Sequence, residues 1–392
     1  MKDDKKLDAV LERFYNVYNK YNTKVLEELG NTIKQFDGLS PSEAHKLAQE
    51  LKYSNNVDKL LQDLSKISGK SIEDINILLD EVAKENIGFA EAYNESKEKL
   101  SYEDNWRLKR YVETIKEETN GTFKDLTKQR NIGFTIKDSN NKVVEFKPLK
   151  KVYSDLIDEA VFNVSTGVVD YQGAMRNTMK QLANSGVKIH EAVTTYESGY
   201  NRRIDSSVRQ AVLTGIRRTN IGIQEMVGKE LGADGVEISA HSPCAEDHLD
   251  IQGRQFTKKE FEKINGTLAR PIGDLNCRHF VFSIIIGVNL PSYSDKMLRQ
   301  MNAESTEQVS YKGKTYTKYE ATQVQRKLET AVRRQKDIQI IAKASGDKEG
   351  IAKAQKKITQ LTKEYSNFSN SVGLDTYKNR MVVSGYKRTK VS

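Results

Sequence analysis

Apolar side chains recur every three or four residues along most of the first 130 positions, which is the spacing of one face of an α-helix. In the first segment the recurring apolar positions are Leu7, Val10, Leu11, Phe14, Val17 and Tyr18. Ser40 followed by Pro41 predicts a helix start, because serine caps free amide groups and proline suits the first helical position. We therefore expect an N-terminal helical bundle or elongated arm, with Trp106 packed in its core.

The pattern changes between Phe134 and Phe146. Two short runs of β-branched and aromatic residues flank the turn-forming sequence DSNN, which predicts a β-hairpin. Helical spacing then returns from about Tyr153 to Glu230. In the stretch NRRIDSSVRQAVLTGIRR, apolar residues fall on one helical face, and we expect the arginines around them to be solvated or to face a partner subunit.

Strand patterns frame the next region on both sides. Val236, Ile238 and Ala240 alternate with polar residues, which predicts a strand leading into His241. The apolar run from Phe280 to Val288 predicts a second strand, and it is far too short to cross a bilayer. A small α/β module should therefore lie here.

From Tyr311 the chain becomes helical again, with a break at Gly346 and Asp347 that predicts a helical hairpin. Residues beyond Gly373 are expected to form a mobile basic tail. The predicted fold class is thus mainly α with a small α/β module. We divide the chain into a helical region with a terminal β-hairpin over 1–150, an α+β domain over 151–300, and a basic helical hairpin and tail over 301–392.

Charge is unevenly distributed along the chain. The net charge is +9, but residues 311–392 contain 19 lysines and arginines against 7 aspartates and glutamates, a balance of +12 that leaves −3 for residues 1–310. Such a basic segment indicates contact with nucleic acid or another polyanion, whereas a solvated lysine-rich helix face is the alternative. The sequence leaves both open.

We expect no transmembrane span, because the longest apolar run is too short. We also expect no secretory signal, because the N-terminus turns directly into an amphipathic helix. We therefore expect synthesis and folding in the cytoplasm. In that compartment the two cysteines, Cys244 and Cys277, are expected to be free thiols or metal ligands, with a disulfide between them as the alternative.

Both cysteines and three of the five histidines lie between positions 241 and 279. If a helix starts at Ser242, Cys244 and His248 share one face of it. If the second segment is extended, Cys277 and His279 share one face of a strand. This arrangement predicts a structural zinc site of the Cys2His2 type.

His241 is a fifth candidate for the four ligand positions of that zinc site. A network of hydrogen-bonded histidines without a metal, and a catalytic site, are the alternatives to structural zinc. The catalytic alternative is a metal-dependent nuclease that uses His248 and His279 with Glu246 or Asp247. The chain contains no glycine-rich phosphate loop, no nucleophile elbow and no dinucleotide-binding fingerprint.

The segments VEISAHSPCAEDHLDIQGRQF and LNCRHFVFSIIIGV resemble the phage minor capsid protein 2 family of tailed-phage head proteins, which is related to the Mu-type minor head proteins. The resemblance begins at about Val168 and extends into the C-terminal hairpin. The positions that match the family pattern are His241, His248, Gly253, Asn276, Cys277, Arg278 and His279. Cys244 falls where the family often has another residue, so the resemblance implies His241, His248, Cys277 and His279 as the metal-binding set.

The resemblance further implies a non-enzymatic minor head protein of the virion interior, incorporated during head assembly in the host cytoplasm. Its implied partners are the portal or the major capsid protein, and packaged double-stranded DNA. Two other functions remain open from the residues themselves: the nuclease, and a non-specific DNA-binding protein acting through residues 311–392.

Overall fold

The computed structural model describes residues 4–93, 101–125, 128, 131–137, 143–189, 202–273 and 277–389. Helical periodicity near the N-terminus yields α1 (Asp4–Lys34), α2 (Pro41–Lys52), α3 (Asn56–Tyr93) and α4 (Trp106–Asp125). The predicted start of α2 is confirmed: Ser40 accepts a hydrogen bond from the Glu43 amide, and the Glu43 side chain accepts one from the Ser40 amide.

The strands are short, and all of their pairings are antiparallel. A four-stranded sheet has the order β2-β1-β3-β4, with β1 (Ile132–Lys137), β2 (Val143–Pro148), β3 (Lys188–Ile189) and β4 (Arg202–Arg203). A three-stranded sheet has the order β6-β5-β7, with β5 (Gly235–Ile238), β6 (Gln255–Thr257) and β7 (Val281–Ile284). A separate hairpin joins β8 (Gln308–Tyr311) to β9 (Lys314–Thr317).

The remaining helices are α5 (Leu149–Ser165), α6 (Tyr171–Ser185), α7 (Ile204–Glu230), α8 (Lys258–Thr267), α9 (Asp295–Thr306), α10 (Lys318–Ser345) and α11 (Lys348–Ser371). The predicted fold class, mainly α with a small α/β module, is confirmed. Strands β1 and β2 form the predicted hairpin, whose DSNN turn lies outside the described residues.

The chain divides into two compact units, each assembled from separate segments. Unit 1 comprises residues 1–12, 71–122 and 209–324, and unit 2 comprises residues 13–70, 123–208 and 325–392. The core around the three-stranded sheet of unit 1 contains Val236, Ile238, Ile251, Ile272, Cys277 and Val281. The three-region division at about residues 150 and 300 stays a prediction.

Helices α10 and α11 form the predicted hairpin. Gly346 adopts a left-handed φ of 85°, which glycine tolerates, and the Asp347 side chain caps α11 by accepting from the Gly350 amide. Gln339 donates to Gln355 across the helix pair at 3.0 Å, and the Tyr365 hydroxyl donates to Glu329. The residue nearer the end of α10 pairs with the residue nearer the start of α11, so the two helices are antiparallel, as in a hairpin.

The expectation of a mobile tail beyond Gly373 is wrong for residues 374–389. Met381 and Val383 are buried, and the Tyr386 hydroxyl donates to Gln355 of α11. The Ser384 amide donates to Asn19 at 3.0 Å. Scattered apolar residues in this basic stretch are therefore anchors whose partners lie far away in sequence.

The expectation for Trp106 is wrong, and the expectation of solvated arginines is wrong for Arg203 and Arg217, although Arg218 is exposed as expected. Trp106 is 71 % exposed, so it does not pack in a core. Arg217 of α7 is 2 % exposed and donates to the His279 carbonyl, while Arg203 forms ion pairs with buried Asp205 and Asp337. Arg217 also lies over the Phe280 ring, 4.8 Å from its centroid, and the Arg203 side chain is only 12 % exposed because two carboxylates receive its hydrogen bonds.

Among the described helices, none combines the length and apolar character needed to cross a membrane.

Candidate metal centre

The candidate site lies in unit 1, where the chain leaves β5 and returns to β7. Strand β5 leads to His241, and a 3-10 turn over Glu246–His248 places His248 on the buried side of the connection. Cys277 and His279 lie just before β7, which pairs with β5 over Gly235–Ile238. The sheet therefore brings the two ends of the histidine- and cysteine-containing stretch together.

The helix predicted from Ser242 is wrong. Residues 242–245 are not helical, and only the three residues from Glu246 form a 3-10 turn. The capping bond itself is not made: the Ser242 hydroxyl is buried without a hydrogen-bond partner, and the Cys244 amide, which a cap at Ser242 would receive, donates to the Ser305 hydroxyl instead. Cys244 and His248 consequently do not share a helical face.

Three of the predicted residues converge. The ligand atoms of His248, Cys277 and His279 all lie within 4.8 Å of one another, and all three residues are buried. Cys277 Sγ is 3.4 Å from His279 Nδ1, so these two side chains project together as predicted, although they precede the strand itself. We call His248, Cys277 and His279 the ligand triad.

A chain of hydrogen bonds determines which nitrogen of His279 carries the proton. Asn302 Nδ2 donates to the Leu249 carbonyl, and Gln252 Nε2 donates to Asn302 Oδ1. Gln252 Oε1 must then be an acceptor, as its bond from the His241 amide also requires. His279 Nε2, 3.3 Å from Gln252 Oε1, therefore carries the proton and leaves a lone pair on Nδ1.

His248 has the same arrangement. Its Nε2 lies 2.7 Å from the Arg270 carbonyl oxygen, which can only accept, so Nε2 carries a proton. The remaining nitrogen, Nδ1, is the one available to Cys277, with which His248 shares a hydrogen bond. Both imidazoles thus direct Nδ1 toward one sulfur.

Local electrostatics favour an ionised Cys277 and a neutral His279, whereas the hydrogen bonds of His248 favour its protonated form. Burial would raise the pKa of Cys277, but hydrogen bonds from His248 and from the Gly273 and His279 amides lower it. Burial, together with the neighbouring positive charges of His241, His248 and Arg217, lowers the pKa of His279 to about 2. Burial would lower the pKa of His248, yet its hydrogen bonds to Cys277 and Arg270 raise it.

His241 and Cys244, the other two candidates, lie outside the triad. The His241 ring stacks at 4.3 Å between centroids on His279, and its Nε2 is buried without a hydrogen-bond partner. Burial, followed by the charge of Arg278, lowers the pKa of His241 to about 4. Cys244 Sγ instead donates to the Ala245 carbonyl, and burial raises the pKa of this thiol to about 11.

The acidic residues of the nuclease alternative are not directed at the triad. Asp247 pairs with Arg270, and its carboxylate is 4.0 Å from His248 Nε2, the nitrogen bound to the Arg270 carbonyl. Glu246 is exposed. In the described part of the chain, neither carboxylate belongs to the group of potential ligand atoms that lie within 4.8 Å of one another around Cys277.

Sequence reasoning missed the residues that orient the triad. Gln252, Asn302 and Arg270 carry no metal-ligand signal, since their role depends on contacts with residues that are distant in sequence. Among the family-matching positions, Gly253 has φ 68°, and a Cβ there would meet Leu298 at 2.3 Å. Arg278 pairs with Asp8 of α1 at 3.1 Å, and Asn276 lies outside the described residues.

Comparison with known proteins extends the resemblance seen in the sequence. A family model described as phage minor capsid protein 2 matches residues 3–370, so the similarity includes the N-terminal helices and does not begin at Val168. No curated protein and no solved structure matches the chain. Because the match spans nearly the whole sequence, the chain belongs to the phage minor capsid protein 2 family.

Proposed function

We propose that this minor capsid protein is incorporated into the phage head during assembly in the host cytoplasm, next to the portal or the major capsid protein. We further propose that it faces the head interior, where the α10–α11 hairpin contacts packaged double-stranded DNA. Family membership supports a structural role in the virion. The charge of the hairpin surface supports the DNA contact.

That charge is the observation on which the DNA contact depends. Within residues 325–389, twelve basic residues are exposed but only two acidic ones, Glu349 and Asp375. The exposed basic residues are Arg326, Lys327, Arg334, Lys343, Lys348, Lys353, Lys356, Lys357, Lys363, Lys378, Lys387 and Arg388. Glu329, Asp337 and Asp347 are buried, so they contribute little negative surface.

Helix α11 presents part of this charge as a continuous strip. Lys353, Lys356 and Lys357 follow the i, i+3, i+4 spacing of one helical face, whereas Ala354 and Ile358 are buried. A strip of ammonium groups on a rigid helix can neutralise successive phosphates without reading the bases. Binding should therefore be independent of sequence and steeply dependent on salt.

Fluorescence anisotropy of a labelled DNA duplex, measured with the full chain over a series of salt concentrations, tests the DNA contact. Replacing Lys353, Lys356 and Lys357 with glutamine should weaken binding and reduce the slope of log K against log salt by about 2.7, or 0.9 per lost phosphate contact.

The matched control replaces three exposed lysines of α3 in the same unit, Lys59, Lys66 and Lys70, with glutamine. Both variants lose three positive charges, so an effect of net charge alone would appear in both. A contact through α11 predicts that only the α11 variant shows the reduced slope. Equal slopes for the two variants, or no binding by the wild type at low salt, would refute a DNA contact through α11.

A further inference from the structure

We propose that unit 1 binds one zinc ion as a structural cofactor, with His248 Nδ1, Cys277 Sγ, His279 Nδ1 and His241 Nε2 as ligands. The inference is independent of the DNA contact, because it depends only on side chains in unit 1. The set of one cysteine and three histidines is the one that the family resemblance implies, and it differs from the Cys2His2 set expected from spacing.

The protons available within the triad do not satisfy its atoms. Both imidazoles carry their proton on Nε2, so two Nδ1 lone pairs face the sulfur of Cys277. A thiol has one hydrogen and can donate it to only one of them. If that proton moves to His248, a thiolate faces the lone pair of His279. In either state one buried lone pair lacks a donor, and a cation at the common point would satisfy all three atoms.

The surroundings match those of histidines and cysteines that bind metals. A metal-binding imidazole usually donates its other N–H to a carbonyl or carboxylate, which fixes the ring and increases its basicity. Here the acceptors are the Arg270 backbone carbonyl and Gln252 Oε1. The His279 amide also donates to Cys277 Sγ at 3.4 Å, a bond that favours the thiolate needed for coordination.

The donor set selects the kind of metal. One sulfur and two imidazole nitrogens suit zinc, whereas Mg²⁺ and Ca²⁺ require oxygen ligands. The Asp247 carboxylate, 4.0 Å from His248 Nε2, is paired with Arg270 and is not part of the triad. A hard cation therefore has no suitable ligands among the converging atoms of the described residues.

His241 is a better fourth ligand than Cys244. His241 Nε2 is buried, makes no hydrogen bond and belongs to a ring stacked on His279. Cys244 Sγ already donates to the Ala245 carbonyl, and its thiol is the harder of the two cysteines to ionise. Coordination by His241 requires a movement of its side chain toward the triad, while its amide stays bound to Gln252.

The position of the site gives the ion a structural task. His241 and His248 follow β5, whereas Cys277 and His279 precede β7, and the two strands are paired. Four ligands would fasten both ends of a connection of roughly thirty residues to the sheet, leaving no open position for substrate. Metal binding would thereby be coupled to the folding of unit 1.

The test uses the full-length protein purified from zinc-supplemented medium, with metal content measured after dialysis and affinity measured by competition with a chromophoric chelator. One zinc per chain is expected. Cys277→Ser and His279→Gln should each weaken zinc binding by about 100-fold or more, since loss of a ligand should cost at least as much as loss of the group that orients one. His241→Gln should also weaken it.

Matched controls come from the same chain. Cys244→Ser removes the other buried cysteine, and His45→Gln removes an exposed histidine whose Nδ1 bonds to the Pro41 carbonyl. Both variants should keep full zinc content. Replacing zinc with Co²⁺ in the wild type should give the absorption of a tetrahedral site with a thiolate-to-cobalt charge-transfer band. This readout does not require a ligand variant to fold.

Three results would overturn the proposal. The first is wild-type protein that neither contains zinc nor takes it up. The second is equal loss of zinc in Cys244→Ser and Cys277→Ser, and the third is a cobalt form without the thiolate band. Unchanged affinity in His241→Gln would overturn the assignment of the fourth ligand. Circular dichroism of each variant is compared with that of wild type stripped of zinc: a variant that has lost only a ligand should match the zinc-free wild type, whereas a further loss of structure shows that the variant itself misfolds.

Discussion

The ion pair between Arg176 and Asp347 should make a measurable contribution to the stability of α11. Arg176 Nε and Nη2 donate to the two Asp347 oxygens at 2.8 and 2.9 Å, and the Asp347 side chain is 1 % exposed. The same carboxylate caps α11 by accepting from the Gly350 amide at 2.9 Å. Asp347 therefore has two roles, which two different substitutions can separate.

Asp347→Asn keeps a residue that caps helices well but removes the charge. Hydrogen bonds to charged groups contribute about 1.5–3 kcal/mol, and we expect a loss of about 2 kcal/mol because Arg176 retains its contact with Glu349. Asp347→Ala also removes the cap, which adds about 1 kcal/mol, so its total loss should be about 3 kcal/mol.

The effect should disappear in acid. Burial would raise the pKa of Asp347, but hydrogen bonds from Arg176 and Gly350 hold it below its usual value. A carboxyl whose pKa is lowered by folding adds stability above the unfolded pKa, about 3.9, and loses that contribution as the pH falls through the folded pKa. The difference between wild type and Asp347→Asn should therefore be constant at neutral pH and shrink below about pH 4.

Hydrogen exchange of peptides from α11, followed by mass spectrometry, measures the free energy of local opening. Asp170→Asn is the matched control, because Asp170 caps α6 through the Gly173 amide in the same way but is exposed. That control should change stability by no more than about 0.5 kcal/mol. If Asp347→Asn were as mild as Asp170→Asn, the ion pair would not hold α11 and the reasoning would fail.

Three further predictions concern local packing and exposure. Gly133→Ala should destabilise unit 2 by about 3 kcal/mol, the upper end of the range for overpacking, because the new Cβ would lie 1.9 Å from the Lys147 carbonyl of β2. In thermal unfolding, Gly121→Ala should instead stabilise α4 by about 0.5–1 kcal/mol, since a Cβ there meets open space. Trp106→Ala should change stability by less than about 0.5 kcal/mol by chemical denaturation, because this side chain is exposed. A loss typical of a buried tryptophan would show that Trp106 packs in a core.

Several features follow from the sequence because their signals are local. The α2 capping box needs only Ser40, Pro41 and Glu43, and the α10–α11 turn needs only the Gly346–Asp347 pair. Helical and alternating patterns likewise act over a few residues, so they predict a mainly helical chain with a small α/β module. Cysteine and histidine are rare in this sequence, and their clustering between His241 and His279 is enough to identify the candidate site.

The tertiary structure decided what depends on distant partners. The capping signal at Ser242 starts no helix: its hydroxyl makes no hydrogen bond, and the Cys244 amide donates to Ser305, 61 positions away. Arg217 is buried against the Phe280 ring, and the His279 carbonyl that accepts from its Nη1 lies 62 positions along the chain. Periodicity and capping rules describe how stable a segment is by itself. Whether a polar group can be buried depends instead on whether a hydrogen-bond partner from elsewhere in the chain reaches it.

The ligand triad combines the two kinds of information. Residue type and clustering identify His248, Cys277 and His279 as candidate ligands. Only the fold shows that both histidines hold their proton on Nε2 and direct Nδ1 toward the sulfur. The groups that fix those protons, the Arg270 carbonyl and the Gln252–Asn302 pair, lie 22 to 50 positions from the groups they bind. Residue types are fixed by the sequence; proton positions depend on hydrogen bonds that form only after distant segments have packed together.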